Sequence, residues 1–159
     1  MEKARESCLP SHDHVDSVVA AQVVVGLIYL GRLGWPLKKS LRHMRWYARY
    51  PSAKPAMDWH DNTFYVDAKT SVRLVMDFLQ ETQDWEVLMR SLIYVGGDTD
   101  TNCCIAASIL EAYKGPPEQW KAWALKRLPG WEALWEVDEL AARKLTWSQG
   151  WQRGPKSVR

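Results

Sequence analysis

The chain has 159 residues, of which 47% are hydrophobic and 25% are charged, and its formal net charge is +2. This length suffices for one domain, the ordinary composition excludes a disordered or fibrous protein, and so small a net charge gives no support for a nucleic-acid partner. The odd number of cysteines, three, two of them adjacent, argues against a disulfide framework, and with no signal peptide recognisable we expect a cytoplasmic location.

Two helices are predicted in the first third of the chain, after a polar N-terminal segment that contains Pro10. Asp13 or Asp16 is expected to cap a helix over about residues 15 to 33. This stretch is interrupted by Gln22 and is shorter than the about 20 residues of a membrane span, so we interpret it as a buried helix and expect no membrane partner. The second helix has apolar positions at helical spacing. These positions are Leu37, Leu41, Met44 and Ala48.

The opposite face of this second helix is basic and is interspersed with aromatic residues. Such a stretch is also found on nucleic-acid-binding surfaces. Because the apolar positions already form a core stripe, a solvated helix face is the favoured interpretation. The basic residues are Lys38, Lys39, Arg42, Arg45 and Arg49.

A polar connection opened by Pro51 and Pro55 extends to about residue 63 and is long enough to suggest a function beyond linkage. Helices are then predicted over about residues 67 to 81, from a cap at Asp84 to Gly96, and over about residues 101 to 114. Shorter helices are predicted over about residues 117 to 128 and 130 to 145. No alternating strand pattern is found, so the predicted fold class is all-α.

Residues 96 to 101 form the candidate site, with the sequence GGDTDT. Two glycines permit a sharp turn, and the residues that follow them come at the amino end of the next helix. Asp98 and Asp100 can direct carboxylates to a common point, and Thr101 can add a hydroxyl, which makes a set of oxygen ligands suited to Mg²⁺ or Mn²⁺. Alternatively, one aspartate only caps the helix.

The longer segment GGDTDTNCCIAASILEAYKG, residues 96 to 115, resembles the C-terminal signature of the ADP-ribosylglycohydrolase family. In that signature a small-residue helix follows Gly-Gly-Asp-Thr-Asp-Thr and ends at Ala-Tyr-Tyr-Gly. The resemblance implies that Asp98, Asp100 and Thr101 bind divalent metal, and that Gly96 and Gly97 contact the substrate. Where this chain has Ala107 and Glu111, family members often have glycine.

A second segment, Ser11-His12-Asp13-His14-Val15, resembles the family's Thr-His-x-His-Pro element. Taken alone, His12 would be a solvated or capping histidine. With the resemblance, His12 is expected to contact bound ADP-ribose, whereas no role is assigned to His14.

The family also uses a Thr-Asp-Asp element to complete a binuclear metal site, and no Thr-Asp-Asp occurs in this chain. Asp58 and Asp61 are the nearest carboxylates that could replace it, although loop carboxylates are usually only solvated. We therefore interpret the chain as the C-terminal half only of the multi-helix family fold. Residues 1 to 147 would form that portion, and residues 148 to 159 a basic flexible tail.

The resemblance implies a metal-dependent hydrolase that removes ADP-ribose from modified proteins or related ADP-ribosyl conjugates by cleaving an N- or O-glycosidic bond. That activity would require the missing N-terminal half, supplied by a complementary partner or through self-association. The catalytic acid or base is not identified. The alternative is a catalytically inactive remnant that binds ADP-ribose or another protein.

Overall fold

The computed structural model describes residues 1–60 and 65–127, which form seven α-helices, one short 3₁₀-helix and no strand. The predicted all-α class is therefore confirmed. The helices are α1 (Glu2–Cys8), α2 (Val15–Arg32), α3 (Leu37–Tyr47), α4 (Ala68–Glu81), α5 (Trp85–Val95), α6 (Thr99–Lys114) and α7 (Glu118–Leu125), and the 3₁₀-helix is Ala56–Trp59.

Contacts divide the chain into two units, Met1–Pro116 and Pro117–Arg159. The first unit holds α1 to α6, and the second begins with α7. The helix predicted over residues 130 to 145 and the tail predicted over residues 148 to 159 lie outside the described residues, so both stay predictions.

Helix α2 lies at the centre of the first unit, where it contacts α1, α3, α4 and α6. By length and composition it could cross a membrane, with a mean hydropathy of 1.5. Central helices of globular domains meet the same criterion, and α2 contacts four helices, although only 28% of this stretch is buried. Its buried residues are Ala20, Val23, Gly26, Leu27 and Gly31.

Small residues on α2 allow α6 to approach it closely. A Cβ atom at Gly31 would lie 2.7 Å from Cε2 of Tyr113, which is closer than real side-chain contacts allow. The Tyr113 hydroxyl donates a hydrogen bond to the carbonyl oxygen of Leu27 at 2.7 Å. This contact fixes the C-terminal part of α6 against α2, and so helps to set where the N-terminal part of α6 lies.

The N-terminal cap of α2 differs from the prediction. The cap is His14, whose Nδ1 accepts a hydrogen bond from the backbone N–H of Asp16 at 3.2 Å. Neither Asp13 nor Asp16 caps the helix, so that prediction was wrong.

Helix α1 was not predicted, because residues 1 to 14 have a polar composition. Ion pairs within the helix join Lys3 to Glu6 at 2.6 Å and Arg5 to Glu2 at 3.3 Å. A helix of seven residues is marginal by itself. Its contact with α2 therefore stabilises it, and Ala4 of α1 is buried.

The connection before α4 is anchored to the core by Asp77, which is 1% exposed. Its carboxylate pairs with Nη2 of Arg45 at 2.6 Å and accepts a hydrogen bond from Nε1 of Trp59 at 3.1 Å. Trp59, in the 3₁₀-helix, is itself buried. Part of the connection that suggested a function is thus a structural element, and Arg45 does not belong to the solvated basic face.

We expect Asp77→Asn to lower the free energy of unfolding by about 3–5 kcal/mol, because it leaves the largely buried Arg45 cation without a compensating charge. Urea denaturation followed by circular dichroism would measure the change. Asp58→Asn, at an exposed carboxylate, is the matched control and should change stability by less than about 0.5 kcal/mol. Equal unfolding free energies for wild type and Asp77→Asn would contradict this role.

Candidate functional site

The turn between α5 and α6 depends on two glycines with left-handed backbone angles. Gly96 has φ 82° and ψ −160°, and Gly97 has φ 73°. The Gly96 conformation is essentially restricted to glycine, since a Cβ atom would strain it. The turn ends α5 at Val95 and makes Asp98 the N-terminal cap residue of α6.

The Asp98 carboxylate does not cap the helix that it precedes. Its side chain makes no cap hydrogen bond, and only its backbone carbonyl accepts, from the N–H of Asn102 at 3.0 Å. The alternative in which this aspartate merely caps α6 is therefore wrong for Asp98. Its carboxylate is left to interact with other groups at the turn.

Asp98 and Asp100 bring their carboxylates together. A side-chain hydrogen bond with Asp98, followed by the backbone N–H of Thr101, lowers the pKa of Asp100 below its ordinary value. Two neighbouring carboxylates of this kind are ligands suited to a divalent cation that prefers oxygen.

A cavity of about 540 Å³ lies where three helices begin. His14, Asp67 and Asp98, the N-terminal cap residues of α2, α4 and α6, all line it. The Asp67 carboxylate accepts a hydrogen bond from the N–H of Thr70 at 2.8 Å and so caps α4. The first turns of three helices therefore line one space.

The cavity unites residues from the two segments that the sequence analysis nominated separately. His12, Asp98 and Thr101 line it together, although the first is more than 80 residues away from the others along the chain. Gly96, Gly97 and Asp100 do not belong to its lining among the described residues. The glycines instead shape the turn.

His12 is held at the cavity by short local contacts. Its Nδ1 lies 2.8 Å from the hydroxyl oxygen of Ser11, and the Cys8 thiol donates a hydrogen bond to the His12 carbonyl at 3.1 Å. The His12 side chain is exposed, which suits a residue that contacts a ligand. His14, to which no role was assigned, is instead a helix cap that also lines the cavity.

Sequence analysis did not identify three charged residues of this cavity, Asp16, Asp67 and Lys69. They come from α2 and from the start of α4, which are adjacent only in the fold. The sequence did predict that α2 and α4 begin close to these residues. It could not place the residues in one site, because the packing of α2 on α4 was unknown.

Buried groups next to the cavity respond to its carboxylates. The pKa of Tyr50 is raised to about 12, chiefly by burial and also by the negative charges of Asp16 and Asp67, against the lowering effect of the Arg73 and Arg45 cations. The Tyr50 hydroxyl has no hydrogen-bond partner among the described residues. The carboxylates of the cavity thus also affect the pKa of a tyrosine that does not line it.

The ligand atoms at the turn are of the type that an oxygen-preferring divalent cation binds, but there are few of them. Asp98, Asp100 and Thr101 provide two carboxylates and a hydroxyl, the ligands that Mg²⁺ and Mn²⁺ take. Within residues 1–60 and 65–127, however, no group of three or more histidine, cysteine or acidic residues could hold a metal. Asp58 does not line the cavity, and Asp61 lies outside the described residues. The turn can supply part of a coordination shell.

A second cavity, of about 650 Å³, is lined by residues of the 3₁₀-helix, α4 and α5, including His60 and Tyr94, whose rings lie 4.9 Å apart. None of the described residues that line it was nominated from the sequence. The first cavity is therefore the better candidate site.

Comparison with known proteins gives one match. The family described as ADP-ribosylglycohydrolase matches residues 1–153, which is nearly the whole chain. No curated protein and no solved structure matches.

Because Asp84 makes a side-chain cap hydrogen bond and Asp98 does not, we expect the two aspartates to contribute differently to the free energy of unfolding. Asp84→Ala removes the cap hydrogen bond to the N–H of Val87 and should lower the free energy of unfolding by about 1 kcal/mol. Asp98→Ala should leave it almost unchanged, because no cap hydrogen bond is lost. Both variants would be compared by urea denaturation. An equal loss in the two variants would show that Asp98 is a structural cap.

Proposed function

The chain belongs to the ADP-ribosylglycohydrolase family, and we propose that it removes ADP-ribose from modified proteins or related conjugates by metal-dependent hydrolysis of a glycosidic bond. The observation that carries this proposal is that His12, Asp98 and Thr101 line one cavity. A cavity of about 540 Å³ is within the usual range for small-molecule sites.

The negative charge at the turn is suited to the chemistry. Cleavage of a glycosidic bond develops positive charge on the ribose ring, and nearby carboxylates stabilise that charge. Asp98 lines the cavity, and its hydrogen bond with Asp100 couples a second carboxylate to it. Asp98 would face the ribose, Asp100, which does not line the cavity, would act through Asp98, and exposed His12 would contact another part of the ligand.

The family is generally metal-dependent. In this chain Asp98, Asp100 and Thr101 would hold the cation. When bound, Mg²⁺ or Mn²⁺ would orient ribose hydroxyls and activate a water. Because three ligands on one turn leave the remaining coordination positions to water, we expect this chain alone to bind the cation weakly.

We further propose that full activity needs a complementary N-terminal half, supplied by another chain or through self-association. Two observations support the need for further residues. The cavity offers no identified general acid or base, and several large apolar side chains are more than half exposed. The most exposed of those in the first unit include Trp46, Met57 and Tyr94.

A second candidate is an inactive member of the family that binds ADP-ribose without hydrolysing it. The incomplete set of metal ligands among the described residues favours this alternative. Binding of ADP-ribose together with no release of ADP-ribose from modified arginine, even after the complementary half is added, would support it.

Titration calorimetry of ADP-ribose with and without Mg²⁺ would test the proposal. We expect wild type to bind ADP-ribose more tightly when Mg²⁺ is present. The double variant Asp98→Asn, Asp100→Asn should lose this dependence on Mg²⁺, because the oxygen ligands at the turn have lost their charge.

The matched control is the double variant Asp58→Asn, Asp84→Asn, which removes the same charge away from the cavity. Asparagine at position 84 can still cap α5. This control should keep the Mg²⁺ dependence of wild type. Binding or turnover that is unchanged in the Asp98→Asn, Asp100→Asn variant would contradict the metal assignment.

A further inference from the structure

Lys69 has a distinct electrostatic position in the cavity. The described residues that line the cavity include three carboxylates, those of Asp16, Asp67 and Asp98, and Lys69 is the only lysine or arginine among them. An anionic ligand would be repelled by the carboxylates. Of the described lining residues, only Lys69 can meet such a ligand with a permanent positive charge.

The position of Lys69 on its helix is not explained by helix stability. It is the second residue of α4, where the positive end of the helix dipole disfavours a cation. Departures from local preference concentrate at functional positions. The Asp67 carboxylate already accepts from the N–H of Thr70 in this first turn, so an anion there would be met by the Lys69 ammonium.

The ion partner of Lys69 holds it loosely. Its ammonium lies 3.2 Å from Oδ1 of Asp16, and the two side chains are 43% and 44% exposed. An ion pair this exposed contributes little to stability, because water solvates both charges. Lys69 can therefore leave Asp16 for a more highly charged anion at small cost.

We propose that Lys69 binds the diphosphate of an ADP-ribosyl ligand, and that Asp16 positions its ammonium in the empty cavity and competes with the ligand for it. This inference rests on the proposed function for the identity of the ligand. It assigns the phosphates to the side of the cavity formed by α2 and α4. The ribose that carries the scissile bond is then directed towards Asp98, at the start of α6.

The proposal predicts effects of opposite sign for the two members of the ion pair. Lys69→Met should weaken ADP-ribose binding about tenfold or more, because a charge-assisted hydrogen bond to phosphate is lost. Asp16→Asn should strengthen binding by about threefold, because it removes a competing negative charge. If the ion pair only joined α2 to α4, both variants would change binding in the same direction or leave it unchanged.

Titration calorimetry in Mg²⁺-free buffer would measure wild type, both variants and the matched controls Lys38→Met and Asp58→Asn, which change the same charges at exposed positions outside the cavity. The probes are ADP-ribose, inorganic pyrophosphate and adenosine. Pyrophosphate should follow the ADP-ribose pattern, whereas adenosine, which lacks phosphate, should bind all five proteins alike.

The probes separate failure of this inference from failure of the proposed function. Equal binding of ADP-ribose and pyrophosphate to wild type and Lys69→Met would overturn the role of Lys69 and leave the proposed function standing. Wild type that binds pyrophosphate through Lys69 but does not bind ADP-ribose would overturn the proposed function alone. Absence of binding of either phosphate compound to wild type in this buffer would overturn the role of Lys69, and absence of ADP-ribose binding with Mg²⁺ present as well would overturn both.

Discussion

The meeting of three helix starts at one cavity is the constraint on which the candidate site depends. Each helix start exposes backbone N–H groups and a partial positive charge, so three of them together require polar or acidic partners. His14 and Asp67 satisfy two of the helices through cap hydrogen bonds. Asp98 makes no such bond, and its carboxylate therefore stays available at the third.

This arrangement depends on packing far from the cavity. The contact of Tyr113 with α2 holds α6 in place, and Asp77 ties the connection before α4 to α3. The central position of α2 joins these supports, since it contacts both α4 and α6. The charged groups in the cavity thus derive their positions from apolar packing and one buried ion pair.

Local patterns in the sequence predicted the elements well but could not predict their meeting. Helical spacing and the cap at Asp84 agree with the structure, and the two glycines mark the turn before α6. Resemblance to the family nominated His12 and Asp98. Lys69 lines the same cavity because of how α2 packs on α4, and local sequence patterns do not predict that packing. The cap of α2 was missed because histidine is not among the preferred cap residues.

The central claim is that the three helix starts form one ligand site. Nuclear magnetic resonance mapping of backbone amides during titration with ADP-ribose and Mg²⁺ tests it most directly. The account predicts chemical-shift changes in the first turns of α2, α4 and α6 together, at residues such as Ser17, Ser71 and Thr101, which line the cavity. Changes confined to the cavity around His60 and Tyr94, or to one helix start alone, would contradict it.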